Sequence, residues 1–227
     1  MERLVKLFFC FTGEPRSLGK GLKSRKKLFL SSKYEIESRY LICYQGEKTR
    51  NNKNKILKAI NILKKYEKLK NIFIENKQAN NIVTYILKQK YDILYHLSKE
   101  EYELCEATII LTRTDWLFTK SMLNLLNISI SDEKIIIPDQ VSPTYDYNGT
   151  KYKAVTDQLM IIPGKYMKEV LEMLRVAINI SEGEVNNIGL NQLSSMVINH
   201  RNKYNKKSFM SPENSLGAAF SITQLKN

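Results

Sequence analysis

One segment of the sequence places charged side chains at the end of a strongly apolar run. Thr108-Ile-Ile-Leu-Thr112 is followed by Arg113, Thr114 and Asp115, after which Trp-Leu-Phe resumes the apolar character. Ligands of open α/β sheets bind beyond the carboxyl ends of strands, so an acid in this position indicates a metal–phosphate site. Arg113 could bind phosphate through its planar guanidinium, and Asp115 could give an oxygen to Mg²⁺ or Mn²⁺. The alternative is an ordinary Arg–Asp ion pair at a strand end.

A second candidate for chemistry is Asp157, which stands shortly before the apolar run 160–162. A carboxylate there could accept the proton of an attacking hydroxyl group that lies within hydrogen-bond distance. Asp is also common at helix and turn caps, so a structural role stays open. Lesser candidates for the same role are Asp139, Asp146 and Glu213.

The remaining nucleophiles and metal-binding residues form no recognisable motif. His96 and His200 fall in helical patterns, and no acid and nucleophile stand at the spacing of a catalytic triad, which predicts structural roles for both. Cys10, Cys43 and Cys105 lie in or beside apolar segments without a CxxC pair, which predicts buried, reduced thiols. The sequence contains neither GxGxxG nor a Walker A motif, which disfavours a dinucleotide dehydrogenase and a P-loop ATPase.

Three sequence blocks, taken in order, resemble the blocks of small GT-A glycosyltransferases, which occur in bacterial surface-polysaccharide loci and in large DNA viruses. The first is FTGEPR at 11–16, which follows an apolar strand, and the second is LTRTDWLF at 111–118. The third is TDQLMIIPG at 156–164, with Met167 following. Order and spacing match from about residue 4 to residue 175, and the C-terminal part matches loosely.

The resemblance implies an enzyme of polysaccharide biosynthesis that moves a sugar from a UDP- or GDP-type nucleotide sugar to a glycan or lipid-linked acceptor. It makes Asp157 the catalytic base and Asp115 the ligand of Mn²⁺ or Mg²⁺. The residues that it assigns to the nucleotide sugar are Thr12, Gly13, Arg16, Arg113 and Asp115.

One departure from the family pattern concerns the metal. The first acid of the Asp-x-Asp motif is replaced by Arg113, which leaves a single acid and puts metal dependence in doubt. Basic side chains such as Arg113 or Arg16 could instead neutralise the departing diphosphate. The same departure leaves open a GT-A-like module that has lost catalysis and only binds its ligand.

The charge of the chain favours anionic partners. The 36 Lys and Arg residues exceed the 23 Asp and Glu residues, which gives a net charge of +13. Nucleotide diphosphates, nucleic acid and an anionic membrane surface all fit this charge. The lysine-rich segment 53–70 has Tyr66 as its sole aromatic, which is a poor platform for base stacking, so no specific nucleic-acid partner is predicted. That segment predicts a solvated helix face or, alternatively, peripheral docking on an anionic membrane.

The apolar patterning predicts a globular α/β protein. Hydrophobic residues make up 43% of the 227 residues, which suits one domain over 1–227. The resemblance to GT-A glycosyltransferases implies a nucleotide-binding part at about 1–118 and an acceptor-side part at about 119–227. Because no run approaches the length of a membrane span, we expect a cytoplasmic protein, with peripheral membrane contact as the alternative. Alternating strands and helices predict an α/β domain with a mainly parallel central sheet and helices on both faces. The resemblance implies that this domain is GT-A-like (Rossmann-like). The predicted strands are 4–11, 40–44, 72–75, 107–111, 135–137 and 160–162. The predicted helices are 17–29, 52–70, 80–97, 165–180, about 190–200 and one that starts at Pro212. The segment 139–154 is predicted to be a polar loop.

Overall fold

The computed structural model describes most of the chain between residues 5 and 223. The described residues are 5–13, 18–29, 34–43, 54, 57–58, 61–62, 71–75, 82–100, 104–138, 145–147, 150–182 and 212–223. The strands are β1 Val5–Gly13, β2 Tyr34–Cys43, β3 Asn71–Glu75, β4 Thr108–Arg113, β5 Tyr145–Tyr147, β6 Thr150–Tyr152 and β7 Leu159–Pro163. The α-helices are α1 Leu18–Phe29, α2 Ile82–Glu100, α3 Lys120–Asp132, α4 Met167–Glu182 and α5 Pro212–Ile222.

Two compact units make up the chain. The first contains Met1–Gln78, Asp92–Ile136 and Gln158–Met167, and the second contains Ala79–Tyr91, Ile137–Asp157 and Lys168–Asn227. Each unit therefore draws on both sides of residue 118. Compactness alone does not separate folding domains, so the single domain over 1–227 stays a prediction.

The first unit is built on a five-stranded mixed sheet in the order β3-β2-β1-β4-β7. The pairs β3–β2, β2–β1 and β1–β4 are parallel, and β4–β7 is antiparallel. The α/β class predicted from the sequence is confirmed. Strand β1 has a partner on each side and buries residues 7–12, as its continuous apolar run predicted for a central strand.

A cluster of buried side chains fixes α1 and α3 on this sheet. Leu7, Phe9 and Phe11 alternate along β1 and belong to one cluster with apolar residues of both helices. The Phe9 ring lies 5.4 Å from that of Phe29 in α1 and 5.6 Å from that of Phe118, in edge-to-face geometry. Aromatic pairs in this geometry add about 1 kcal/mol beyond their burial. The segment that leads from β4 into α3 is therefore held against β1.

Buried charge joins β2 to the C-terminal end of α2. Arg39 is buried and forms ion pairs with Glu37, at 3.0 Å, and with Glu100 of α2. Although burial opposes the charged form, the hydrogen bond to Glu100 and the charges of both acids raise the pKa of Arg39. Removal of either acid would leave a buried charge partly uncompensated.

Several sequence predictions need correction. Strand β2 begins at Tyr34, six residues earlier than predicted, and residues 145–147 and 150–152 pair as a hairpin within the predicted polar loop. Helix α3 was not predicted at all. The predicted strand 135–137 contributes only an isolated bridge between Ile136 and Ile161. Cys10 is buried as expected, whereas Cys105 is exposed because it lies on a short 3₁₀ turn at the surface.

The second unit contains the hairpin and α5. Pro212 is the first residue of α5, as predicted, and fits there because the first turn of a helix does not need its N–H. The backbone N–H of Val155 donates to the carbonyl of Glu213 at 3.3 Å, and Gly217 packs directly against the carbonyl of Lys153. The predicted helix at about 190–200 and most of 52–70 lie outside the described residues. Among the described helices, none has the length and apolarity to cross a membrane.

Candidate functional site

The strand order reverses beside β1, and the carboxyl edge between β1 and β4 is here named the β1–β4 crevice. From β1 the chain proceeds outward on one side to β2 and β3, and then returns to place β4 on the other side of β1. Where neighbouring parallel strands are connected in opposite directions, the connections diverge and leave a gap at the carboxyl edge. Gly13 ends β1 and Arg113 ends β4 at this edge.

The pairing of β1 with β4 brings two of the predicted site segments together. Thr12 is the register partner of Arg113, and the N–H of Thr114 donates to the carbonyl of Thr12 at 3.1 Å. The Thr12 side chain is buried, so it packs inside the protein at the ends of β1 and β4. Gly13 has φ +99°, a left-handed conformation that suits glycine, and a Cβ there would meet no atom within 4 Å. The backbone of Gly13 therefore borders open space.

Arg113 and Asp115 form a two-bond ion pair in this position. Nε of Arg113 donates to Oδ1 of Asp115 at 2.9 Å, and Nη2 donates to Oδ2 at 2.8 Å. The N–H of Trp116 donates to the carbonyl of Arg113 at 3.2 Å, which closes the turn between the two side chains. The side chains are 35% and 20% exposed, so solvent reaches the pair. The ion pair that the sequence left open as an alternative is present, and it is not sealed from water.

This arrangement does not fit a Mn²⁺ or Mg²⁺ site built on Asp115. Both carboxylate oxygens already accept N–H groups from a cation, and the guanidinium neutralises the charge that would attract a metal ion. No group of three His, Cys, Asp or Glu side chains within the described ranges could hold a metal ion. The poor fit rests on the contacts of Asp115 itself.

Helix α1 docks onto the turn through two small residues. A Cβ on Gly21 would lie 2.7 Å from the carbonyl oxygen of Trp116 and 3.3 Å from that of Thr114, so only glycine allows this approach. Oγ of Ser24 accepts the N–H of Phe118 at 3.0 Å and donates to the carbonyl of Gly21 at 2.8 Å. No sequence pattern predicted this role, because a glycine inside a helix ordinarily indicates only a local loss of helix stability.

A buried arginine lies between α1 and the sheet. Arg25 donates to Oγ of Ser38 at 2.7 Å and to the hydroxyl of Tyr40 at 3.3 Å, and its guanidinium is about 5 Å from the ring centres of Phe9 and Phe11. Burial lowers the pKa of Arg25 and raises the pKa of Tyr40 to about 12. Together these contacts fix the orientation of α1, and with it the position of Gly21 and Ser24.

The structure describes Asp157 and two of the lesser candidates. Asp157 is buried at 6% exposure and belongs to the second unit, where the N–H of its neighbour Thr156 donates to the carbonyl of Pro138 at 3.1 Å. Asp146 is in β5 and Glu213 is in the first turn of α5. Arg16 and Asp139 lie outside the described residues. The catalytic role of Asp157 and the nucleotide-binding role of Arg16 therefore stay predictions.

The first unit also has an open cavity at the opposite edge of the sheet. It measures about 520 Å³ and is lined by residues at the start of β1 and β4, among them Lys6 and Thr108, and by the exposed Cys105. An ion pair between Lys165 and Glu133 lies along its wall. The cavity is thus at the amino ends of the parallel strands, away from Arg113, and no sequence pattern predicted it.

Comparisons with known proteins do not name a family. The chain matches no protein-family model and no curated protein. The resemblance to GT-A glycosyltransferases therefore depends on the three sequence blocks.

Proposed function

We propose that the protein is a glycosyltransferase with a GT-A-like, mainly parallel sheet, and that the diphosphate of a nucleotide sugar binds in the β1–β4 crevice. The observation that carries this proposal is the pairing of Thr12 with Arg113 beside the strand reversal. It brings the first and second sequence blocks to one edge, where open α/β sheets bind ligands. The three parallel strand pairs support the same architecture.

Arg113 is the residue best suited to bind the diphosphate. Its guanidinium is partly exposed and is oriented by two bonds to Asp115. A planar guanidinium recognises phosphate oxygens in pairs, and a side chain that is already oriented loses little freedom when a ligand binds. The open space beside Gly13 lets a phosphate approach the backbone closely. Asp115 then acts by positioning Arg113.

The proposed reaction is displacement at the anomeric carbon. The acceptor hydroxyl oxygen forms a bond to that carbon, the bond between the carbon and the phosphate oxygen breaks, and a nucleoside diphosphate departs with the electron pair. Arg113 stabilises the charge that develops on the departing diphosphate. A carboxylate accepts the hydroxyl proton, and Asp157 remains the candidate from the sequence. The acceptor is a glycan or a lipid-linked hydroxyl compound.

A second candidate is a nucleotide-sugar-binding module without transferase activity. The observation that favours it is that both oxygens of Asp115 are held by Arg113, which makes Asp115 a poor metal ligand. A protein that binds without reacting needs only the oriented guanidinium. The two candidates share the site and differ in turnover.

A thermal-shift panel of UDP- and GDP-sugars, each with Mn²⁺ and with EDTA, tests the site. Ligand at about 100 times its Kd stabilises a folded protein by about 2.7 kcal/mol, which gives a clear rise in Tm. We expect a rise with at least one donor, in EDTA as well as in Mn²⁺, and its loss in Arg113→Met. The matched control is Arg175→Met, which removes an exposed arginine of α4 that is paired with Glu172.

Measurements of product release decide between the two candidates, and the thermal shifts can contradict both. Release of nucleoside diphosphate in the presence of an acceptor glycan supports the transferase, and binding without release supports the module. If no donor raises the Tm, or if Arg113→Met keeps the full rise, the crevice is not the nucleotide-sugar site.

A further inference from the structure

Helix α1 carries a lysine face, formed by Lys20, Lys23, Lys26 and Lys27. All four side chains are exposed, and their spacing of three, three and one residues puts them within about a third of the helix circumference. The opposite side of α1 is buried through Leu22, Arg25 and Phe29. Helix α1 contains no acid, and in the part of the chain that the structure describes none of these four lysines forms an ion pair. The lysine face therefore presents a positive charge that no acid within the described ranges pairs with.

An exposed apolar side chain is fixed beside the lysine face. Leu117 is 54% exposed, and the residues on either side of it are held on α1: the Trp116 carbonyl lies against Gly21, and the Phe118 N–H is bonded to Ser24. Gly21 and Ser24 follow Lys20 and Lys23 directly in the helix. The exposed Lys120 begins α3 three residues after Leu117. A leucine is thus held out to solvent among lysines.

We propose that the lysine face and Leu117 dock the protein on an anionic lipid bilayer. Lysines beside a protruding apolar side chain match such a surface, because ammonium groups bind the headgroup layer while the apolar side chain enters it. Nucleic acid is favoured less, since the exposed cations of α1 are all lysines and Trp116 is partly buried against the core. This surface differs from the lysine-rich segment 53–70, and the proposal does not depend on transferase activity.

Vesicle co-sedimentation of the full chain tests the proposal. The probes are phosphatidylcholine vesicles and phosphatidylcholine vesicles that contain a quarter phosphatidylglycerol. We expect binding to the anionic vesicles alone, and weaker binding as salt rises, because screening shortens the reach of the charges. The variant Lys20→Gln/Lys23→Gln/Lys27→Gln should bind on the order of 100-fold more weakly, because each lysine near an anionic surface contributes roughly fivefold. Leu117→Ser should bind about tenfold more weakly.

A matched control distinguishes an effect of the lysine face on binding from an effect of the protein's net charge. Lys99→Gln/Lys153→Gln/Lys168→Gln removes the same charge from exposed lysines outside α1 and should keep binding within about threefold of wild type. Circular dichroism checks that each variant is folded.

Four results would overturn the proposal. The first three are an absence of wild-type binding to vesicles, equal binding to both vesicle types, and an equal loss of binding in the two triple variants. The fourth is that the lysine face is needed for binding to duplex DNA while the protein does not bind vesicles. A loss confined to the lysine face with an additional loss in Leu117→Ser supports it.

Discussion

Arg113 and Asp115 hold each other at the end of β4, with two N–H···O bonds of 2.9 and 2.8 Å between the guanidinium and the carboxylate. The residues are only two apart, so the pair depends on the turn that the Trp116 N–H closes at the Arg113 carbonyl. A partly exposed pair contributes little to stability, typically about 1 kcal/mol or less. The ion pair therefore serves mainly to orient the guanidinium of Arg113 and contributes little to the free energy of unfolding.

Asp115→Ala should abolish sugar-nucleotide turnover and leave the protein folded. We expect a loss of at least about 100-fold in kcat/KM, because the guanidinium that stabilises the departing diphosphate loses its orientation. The free energy of unfolding should change by less than about 1 kcal/mol. Release of nucleoside diphosphate and urea unfolding measure the two effects.

The matched control for this prediction is Asp132→Ala, which removes an exposed acid that has a cation near it, with Lys134 at the longer distance of 3.7 Å. It should keep wild-type turnover. Turnover that survives in Asp115→Ala would remove Asp115 from the mechanism.

Gly21→Ala and Gly19→Ala should have opposite effects. A Cβ at Gly21 would lie 2.7 Å from the backbone oxygen of Trp116, so the turn or the helix must move, at a cost of about 1–3 kcal/mol. A Cβ at Gly19 would meet nothing within 4 Å, and alanine there should stabilise the helix by up to about 1 kcal/mol. Thermal unfolding of both variants checks the contrast, and equal Tm values for the two would show that α1 does not press on the turn.

Ser24→Ala should weaken the attachment of the same turn without adding bulk. The change removes the acceptor of the Phe118 N–H and should cost about 1–2 kcal/mol of unfolding free energy. In the proposed transferase, kcat should fall more than KM rises, since the turn carries Arg113. Ser98→Ala is the control, because the Ser98 hydroxyl donates to the Tyr95 carbonyl on the exposed side of α2 and its loss should change stability by less than about 0.5 kcal/mol. An equal loss in both serine variants would contradict a special role for Ser24.

The protein should lose stability in alkaline solution through Cys10 and Tyr40. Burial, with the charge of Glu37 as a smaller contribution, raises the pKa of Cys10 from 9.0 to about 12, and burial raises the pKa of Tyr40 from 10.0 to about 12. Between these values the unfolded chain releases protons that the folded chain keeps, so unfolding becomes easier as pH rises. The loss begins near pH 9 and continues to about pH 12, and it should reach roughly 2 kcal/mol by pH 10.

Urea unfolding at pH 7, 9, 10 and 11 measures this loss. Cys10→Ala should be less stable than wild type at pH 7, because it leaves a small cavity, but its stability should fall less between pH 9 and 10. Parallel pH curves for the variant and the wild type would show that the thiol is not responsible.

Local patterns in the sequence were enough for most of the elements that carry the site. The continuous apolar run of β1 predicted a strand that is covered on both faces, and the segment 17–29 was predicted to be a helix, which α1 confirms. The polar tripeptide after β4 marked the strand end that borders the crevice. Helix α3 was not predicted, because Trp-Leu-Phe only resumes the apolar character of the preceding strand, whereas the chain leaves the sheet there and turns into a helix at Lys120.

The sequence by itself determined the α/β class, the composition of the crevice edge and the excess of positive charge, because these follow from residue types and from periodicities over a few residues. Only the tertiary structure decided which strands are neighbours, that β7 runs against β4, that Asp115 is paired with Arg113, and that Gly21 is a contact point and not merely a weak point. Each of these features depends on contacts between segments far apart in the chain or on the geometry of a turn. The periodicity of apolar and polar residues along the sequence carries no information about such contacts or about turn geometry.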